Sequence, residues 1–174
     1  MSALKNPVGE QDHIQGNADA PVTLVEYGDY ECPHCAGAHP VVQQLQAHFG
    51  ESLRFVFRNF PMSRLHPHAE AAAQTAEFAA SHGKFWPMHD LLLENQPRLS
   101  HSVFAELAGR LGLAPAELAT ALEKYTFERR VHQDFTSGVR SGVNGTPTFF
   151  LNGERYDGAK DYQSMAAAIA ALIH

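Results

Sequence analysis

Residues 21–59 contain the feature that most restricts the fold, two β-rich segments separated by one helical pattern. The segment 21–27, Pro-Val-Thr-Leu-Val-Glu-Tyr, is almost continuously apolar, which predicts a central strand buried on both faces. Residues 33–49 place apolar side chains three and four positions apart, which predicts a helix that ends at Gly50. Alternating apolar and arginine positions in 53–59 predict a second strand. So compact a unit implies two parallel strands joined by a right-handed crossover.

The rest of the chain predicts a run of helices followed by a hairpin. Five amphipathic segments occupy the middle of the chain, and Ser102 is expected to cap the third. The fifth carries an apolar stripe from Phe127 to Val139, which is expected to be buried in the core. The apolar segment 148–151 is followed by Asn-Gly, a strong signal for a two-residue hairpin turn. Asp161 is expected to cap a final helix.

These elements predict an α/β fold in which helices flank a central mixed β-sheet. A chain of 174 residues fits one domain. We expect a core formed by about residues 12–64 and 143–174, interrupted by a helical insertion at about residues 65–142. The first 15 residues lack the apolar stretch of a signal peptide, so the expected compartment is the cytoplasm, or the periplasm if a leader has been removed.

Charge and hydropathy argue against two classes of partner. The formal net charge is −6, from 13 basic and 19 acidic residues, with no basic block, so neither nucleic acid nor an anionic membrane surface is an expected partner. The longest apolar run, 165–173, is far shorter than the ~18 residues that a membrane span requires.

The chemistry is expected at the only two cysteines, in the motif Cys32-Pro33-His34-Cys35. A disulfide across so small a loop constrains the unfolded chain little, and a zinc site would need further ligands. The motif follows a strand and opens a helix, where unpaired N–H groups and the helix dipole favour a thiolate on Cys32. Cys35, one turn later, is expected to be buried and to resolve a mixed disulfide on Cys32. Pro33 suits the first helical turn, and His34 is expected to add positive charge or a hydrogen bond.

With those motifs in view, the chain resembles the DsbA-like branch of the thioredoxin superfamily. The segment 22–35 carries the resemblance, including the Pro33-His34 pair between the cysteines, which is the same as in DsbA. Pro40 matches the helix proline of thioredoxins, the segment 145–150 resembles the cis-proline loop, and the helical insertion is also typical. The resemblance implies a thioredoxin-like fold and a protein-disulfide oxidoreductase.

The resemblance also implies roles for residues outside the motif. Pro147 would follow a cis peptide bond and face the cysteines, and Thr146 would offer backbone groups to an extended substrate. Glu26 occupies the position of the buried acid that relays a proton to or from Cys35, with a pKa raised by desolvation. No cofactor is expected beyond the redox-active Cys32–Cys35 disulfide, and the expected partners are protein or peptide thiols and disulfides, with glutathione or a thioredoxin-type protein as redox partner.

Two other functions remain open at this stage. One is a non-redox binding module whose cysteines hold a metal; the other is a glutathione-linked isomerase or detoxifying protein. His39 replaces an acidic residue of DsbA, which leaves the redox poise and the direction of exchange open. A site formed by Cys32, Cys35 and His39 would lack a ligand, so no metal is expected, and His39, His66 and His68 are interpreted as surface or capping residues.

Overall fold

The structure, a computed structural model, describes residues 3–174 and shows an α/β fold with helices on both faces of a mixed sheet. Within these residues there are five strands: β1 His13–Gly16, β2 Val22–Gly28, β3 Leu53–Asn59, β4 Thr148–Leu151 and β5 Glu154–Tyr156. The same residues form seven α-helices: α1 Pro33–Phe49, α2 Ala69–Ser81, α3 Phe85–Glu94, α4 His101–Arg110, α5 Pro115–Glu123, α6 Glu128–Arg140 and α7 Tyr162–Ala170. The predicted fold class is confirmed.

The sheet has the order β1-β3-β2-β4-β5, which places β2 at its centre. β2 pairs in parallel with β3, from Val22 opposite Leu53 to Gly28 opposite Asn59, whereas the other three pairs are antiparallel. The parallel pair and the central position of β2 agree with the sequence prediction. Because α1 connects β2 to β3, its first turn lies at the carboxyl end of the central strand.

The two faces of the sheet are buried in separate apolar clusters. The larger cluster joins one face to α1, α7 and the inner faces of α2 to α5. The smaller cluster, on the other face, is built from Val25, Tyr27, Val56 and Phe150, and Phe135 of α6 packs against it. Burial on both faces explains the nearly continuous apolar character of β2.

Helix α6 packs most of its apolar stripe against the protein but exposes the last residue of that stripe. Val139 is 53% exposed, so the expectation that the whole stripe is buried was wrong. The buried residues of α6 are Val131, Asp134, Ser137 and Gly138, and the two polar side chains among them have partners in the sheet. The Ser137 hydroxyl bonds that of Tyr27 at 2.8 Å, and Asp134 accepts from the Asn59 backbone N–H at 2.9 Å.

The N-cap residue of helix α4 lies two residues earlier in the chain than predicted. The N-cap is Ser100, whose hydroxyl accepts a hydrogen bond from the Val103 N–H at 3.3 Å, and Ser102 lies inside the helix. Asp161 caps α7 as expected, by accepting from the Ser164 N–H at 2.8 Å. None of the helices within residues 3–174 is long and apolar enough to cross a membrane.

The close approach of α6 to the sheet depends on Gly138. A Cβ at this position would lie 2.7 Å from the Phe60 ring and 2.9 Å from the Tyr27 ring, closer than packed atoms allow. We expect Gly138→Ala to lower the free energy of unfolding by about 1–3 kcal/mol in urea melts, because both rings are buried and cannot move freely.

Gly109→Ala on the exposed face of α4 is the matched control. Its Cβ would meet only Pro115 Cγ, at 3.9 Å. Replacing a helical glycine should then raise the free energy of unfolding by about 0.5–1 kcal/mol. Equal stabilities for the two variants would contradict the packing described here.

Candidate active site

The two cysteines lie at the start of α1, directly beyond the end of β2. Cys32 is the N-cap residue and Pro33 occupies the first helical position, where the missing N–H costs no hydrogen bond. The Cys32 N–H donates to the Asp29 carbonyl at 3.1 Å, and the Cys35 N–H donates to the Cys32 carbonyl at 3.0 Å. Both sulfurs are free thiols, and this turn places them at the amino-terminal end of the helix, as the sequence predicts.

Cys32 is surrounded by groups that favour its thiolate. A hydrogen bond from the Cys35 thiol is the largest of the effects that lower the pKa of Cys32 to about 5, although burial opposes the shift. The Thr146 side chain and the backbone N–H groups of Cys35 and His34 contribute further hydrogen bonds. The sequence suggested the His34 imidazole for this purpose, but that side chain is exposed and the contribution comes from the backbone.

Cys35 behaves in the opposite way. Its side chain is fully buried, and the Asp29 N–H lies 3.4 Å from its sulfur. Its hydrogen bond to Cys32, burial and the charge of Glu26 all raise the pKa of Cys35 well above its ordinary value. The arrangement therefore favours one thiolate, on Cys32, with Cys35 as the proton-bearing neighbour.

Glu26 is buried in the middle of β2, opposite Phe57 of β3 and Phe149 of β4. Burial, followed by the charge of Cys32, raises the pKa of this carboxyl to about 8. The side chain can therefore hold or release a proton near neutral pH. Its charge also affects the pKa of Cys35, which places it within electrostatic reach of the second sulfur.

Thr146 and Pro147 lie beside the cysteines, in the loop that leads into β4. The bond between them is a cis peptide, and the Thr146 carbonyl is 3.5 Å from Cys32 Sγ, which donates to it as a thiol. An open groove of about 480 Å³ runs past this point. Its lining residues are Pro33, His34, Gly37, Ala38, Thr146, Pro147 and Lys160.

A buried carboxylate beneath the site, Asp29, was not predicted from the sequence. One of its oxygens accepts from the Glu31 N–H at 2.8 Å; the other accepts from the Met62 N–H at 2.9 Å and bonds His66 Nδ1 at 2.8 Å. Asp29 thereby joins the loop before α1 to the loop after β3. Its position directly after a buried strand was a usable signal, but the partners come from 33 and 37 residues away.

Two further side chains that sequence reasoning missed support the same loop. Gln96 Nε2 donates to the carbonyls of Tyr30 and Cys32, at 2.9 and 2.7 Å. The buried Tyr30 hydroxyl bonds His89 Nδ1 of α3 at 2.8 Å. The segment that presents Cys32 is therefore fixed from the helical region as well as from the sheet.

The interpretation of three histidines as surface or capping residues was wrong for His39 and partly right for His66 and His68. His39 is buried, and its Nε2 lies 3.5 Å from Asp90 Oδ1. His66 is half-buried against Asp29, and His68 occupies the N-cap position of α2 without a capping bond from its side chain. In the part of the chain that the structure describes, no third His, Asp or Glu ligand atom forms a compact cluster with the two cysteine sulfurs.

Comparison with known proteins places the chain in a family. The thioredoxin family model Thioredoxin_4 matches residues 9–171, and the chain belongs to that family. The oxidised crystal structure of BdbD from Bacillus subtilis superposes with a TM-score of 0.88 at 26% identity, covering 98% of this chain and 97% of that chain. A thioredoxin-like oxidoreductase from Silicibacter pomeroyi gives 0.77 at 26% identity, covering 92% and 90%. The predicted DsbA-like resemblance is confirmed.

A more distantly related structure and two much longer proteins are also similar to this chain. Wolbachia pipientis alpha-DsbA1 shares the fold, with a TM-score of 0.82 at 17% identity over 97% of this chain and 94% of that chain. The Na(+)/H(+) antiporter NhaA 3 of Salinispora tropica is 41% identical over 160 residues, which are 92% of this chain and 24% of that protein. An NhaA antiporter of Herminiimonas arsenicoxydans is 41% identical over 97% of this chain and 27% of that protein. The chain spans about a quarter of the length of these curated relatives.

The lowered pKa of Cys32 gives a direct chemical prediction. Iodoacetamide should alkylate Cys32 of the reduced protein with a rate that rises with pH about a midpoint near 5, because only the thiolate reacts. Cys35 should stay unlabelled until the protein unfolds. Peptide mapping after brief exposure over a series of pH values measures both rates.

Thr146→Val supplies the matched comparison, since it removes the hydroxyl with little change in shape. The midpoint for Cys32 should move to higher pH in this variant because one hydrogen bond to the thiolate is lost. A midpoint near 8.5 in the parent protein, or faster labelling of Cys35, would contradict the assignment.

The same pKa shift connects stability to pH. The folded pKa of Cys32, about 5, lies below its unfolded value of about 8.5, so the unfolded chain binds more protons between these limits. We expect the stability of the reduced form relative to the oxidised form to rise with pH across this window, by at most about 1.4 kcal/mol per pH unit, and to be lost as pH falls through 5. Above about 8.5 the trend should reverse, because folded Cys35 resists ionisation.

Urea melts of the two redox forms measure this difference, with Cys32→Ser as the control. The raised pKa of Glu26 makes the stability of the protein fall as pH rises, which is the opposite of the Cys32 effect. The main cause of that raised pKa is burial, which both redox forms share. Subtracting one form from the other therefore removes most of the Glu26 contribution. A difference that stays flat between pH 5 and about 8.5 would show that Cys32 is not a stabilised thiolate.

Proposed function

We propose that this chain is a thiol–disulfide oxidoreductase that exchanges disulfides with protein or peptide substrates through Cys32 and Cys35. The observation that carries the proposal is the pair of free thiols in the first turn of α1, with Cys32 Sγ facing the Thr146 carbonyl and Cys35 buried behind it. The pKa values support it, because that of Cys32 is lowered to about 5 and that of Cys35 is raised well above its ordinary value. Disulfide exchange needs one thiolate that is both nucleophile and leaving group, and a second thiol that stays protonated until it resolves the mixed disulfide. The likeness to the oxidoreductase of Silicibacter pomeroyi supports the same activity.

In the reducing direction, the Cys32 thiolate attacks one sulfur of a substrate disulfide. A Cys32–substrate disulfide forms, the substrate bond breaks and the first substrate sulfur leaves as a thiolate. Cys35 then loses its proton and attacks Cys32 Sγ, which forms the Cys32–Cys35 disulfide and releases the second substrate sulfur. The oxidising direction is the reverse sequence, with two electrons passing from the substrate dithiol to the protein disulfide.

Glu26 is proposed to receive the proton that Cys35 releases. A carboxyl with a pKa of about 8 can accept a proton near neutral pH and return it. When Cys32 enters a mixed disulfide its negative charge disappears, and one of the two causes of the raised Glu26 pKa disappears with it. Pro33 and His34 are assigned to shaping the turn, with the His34 backbone N–H stabilising the thiolate.

Thr146 and Pro147 are proposed to bind the substrate backbone. The loop faces Cys32 across 3.5 Å, and the open groove beside it can accommodate an extended chain. This assignment makes the groove, and not a closed pocket, the recognition surface. It fits a site that accepts many protein or peptide substrates and needs no cofactor beyond its own disulfide.

The direction of exchange follows from the Cys32 pKa and the compartment. Stabilising the thiolate stabilises the reduced form, and a value near 5 lies between those of thioredoxin, about 7, and DsbA, about 3.5. We propose a potential between those of the same two proteins, about −270 and −120 mV. In a cytoplasm such a pair would be reduced by glutathione or a thioredoxin-type partner and act as a reductase or isomerase; in a periplasm it would act as an oxidant.

The other candidate functions have less support. A metal-holding module would need further ligands near the cysteines, and no cluster among residues 3–174 includes them. A glutathione-linked isomerase would not require the buried second sulfur. The transport activity named in the NhaA relatives belongs to proteins about four times as long, and the same redox fold inside them is compatible with this proposal. We also propose that the chain is one domain, with a core of about residues 12–64 and 143–174 and a helical insertion at about residues 65–142.

Substitution of each cysteine tests the mechanism. Cys35→Ser should still attack substrates but accumulate a mixed disulfide on Cys32, because the resolving sulfur is gone. Cys32→Ser should form no adduct and lose exchange activity with a disulfide-linked model peptide by roughly 1,000-fold or more, the scale seen when a catalytic nucleophile is removed. Non-reducing mass spectrometry and peptide turnover measure the two effects.

Glutathione redox buffers supply the control measurement on the unmodified protein. The proposed potential range should appear in the fraction of Cys32–Cys35 disulfide at equilibrium. Parental turnover by Cys35→Ser would rule out a two-cysteine mechanism, whereas turnover by Cys32→Ser would rule out the proposed nucleophile.

A further inference from the structure

A second cluster of chemically reactive side chains lies between α1 and α3, apart from the cysteine pair. His39 of α1 and His89 and Asp90 of α3 each offer one nitrogen or oxygen atom, and the three atoms lie within 4.8 Å of one another. His39 Nε2 is 3.5 Å from Asp90 Oδ1 and 4.0 Å from Glu94 Oε1. Two imidazoles and a carboxylate are a common set of ligands for divalent transition metals.

One nitrogen of this cluster lacks a hydrogen bond. The His39 side chain is only 9% exposed, and its buried Nε2 has no hydrogen-bond partner among residues 3–174. Buried polar atoms without partners are rare, because leaving one unpaired destabilises the folded state. A small cavity of about 60 Å³ adjoins His39, His89 and Asp90, which leaves room for an ion and a coordinated water.

His89 has a hydrogen bond that can orient its ring, as metal-binding histidines usually do. Its Nδ1 is 2.8 Å from the Tyr30 hydroxyl, and in the tautomer that donates this hydrogen bond the Nε2 lone pair is free. Burial lowers the pKa of His39 and lowers that of His89 strongly, so both rings favour the neutral state that coordinates metals.

We propose that His39, His89 and Asp90 bind a divalent transition-metal ion of the Zn²⁺ type. Tetrahedral ligands at about 2.0–2.1 Å from zinc lie about 3.4 Å apart, and the His39–Asp90 separation of 3.5 Å already meets this distance. Glu94 or a water would complete four-fold coordination. The ion would satisfy His39 Nε2 and connect α1 to α3, independently of the redox function proposed for the cysteines.

The test uses the oxidised protein, free of any histidine tag, because its disulfide removes the thiolates as competing ligands. Calorimetric titration with ZnCl₂ should give one Zn²⁺ per chain, and Zn²⁺ should raise the melting temperature. Co²⁺, as a spectroscopic probe, should give the visible bands of a four-coordinate site without a thiolate charge-transfer band.

Two variants probe the ligands and one serves as a control. Asp90→Asn, at a partly exposed position, and His39→Gln should each weaken Zn²⁺ binding about tenfold or more, since losing even a residue that hydrogen-bonds a metal ligand costs about 10–100-fold. His48→Gln, on the exposed side of the same helix, should bind like the parent. Circular dichroism checks that each variant is folded, and Asp90→Asn decides the matter if His39→Gln does not fold.

The outcomes separate this site from the cysteines. Binding retained in a Cys32→Ser/Cys35→Ser variant, with loss in Asp90→Asn, would support the site even if the redox proposal failed. Absence of stoichiometric Zn²⁺ binding by the oxidised protein, or equal affinity in the parent, Asp90→Asn and His39→Gln, would overturn it.

Discussion

The carboxylate of Asp29 is the interaction on which the geometry of the site depends. It is buried, yet three donors surround it: the backbone N–H groups of Glu31 and Met62 and the ring of His66. These contacts hold the loop that precedes α1 against the loop that follows β3. The Asp29 N–H also faces Cys35 Sγ at 3.4 Å. A charged group can be buried here because each oxygen has a partner, and its orientation in turn fixes the position of both sulfurs.

Three acidic groups near the start of α1, Cys32, Cys35 and Glu26, affect one another's pKa values, so a charge on one disfavours a charge on the others. Cys32 has the hydrogen bonds of the helix start and of Thr146, so it takes the negative charge at the lowest pH. Cys35 and Glu26 are buried more deeply and hold their protons longer. Burial disfavours each charge, and the nearby thiolate disfavours a second one. Because the order of ionisation is set by depth and hydrogen bonding, one sulfur attacks while a proton remains available beside the other.

Sequence pattern predicted the parts of this structure that follow from local periodicity. The strand β3 and the helix α1 have the predicted bounds, and β2 is displaced by one residue, because apolar spacing and breakers such as Gly50 act over short distances. The apolar character of β2 predicted a central strand, and the family resemblance, not the local pattern, implied that Glu26 is buried within it. The supporting side chains were not predictable in this way. Asp29, Gln96 and His89 act on partners 33 to 66 residues away, and no local pattern records such contacts.

The burial of side chains was predicted wrongly on two helices, α1 and α6, and the physical reason differs between them. On α1, His39 lies one turn from Cys35 and three residues before Val42, both buried, so helical periodicity alone would have placed it inside had its polarity been set aside. On α6 the apolar stripe itself misled, because Asp134 and Ser137 are buried with partners in the sheet while Val139 is exposed.

In both helices a polar side chain enters the interior where another element supplies a complementary group. His39 differs in one respect, since its Nε2 makes no hydrogen bond to any of residues 3–174, although Asp90 Oδ1 lies 3.5 Å away. The inner face of α1 thus passes from sulfur at Cys35 to imidazole at His39 before becoming apolar at Val42 and Leu45. The polar part of that face is confined to the end near the active site, where Tyr30 joins the cysteine loop to His89. An apolar residue at position 39 would satisfy packing alone, so the buried imidazole is better explained by the ligand that its free nitrogen can bind.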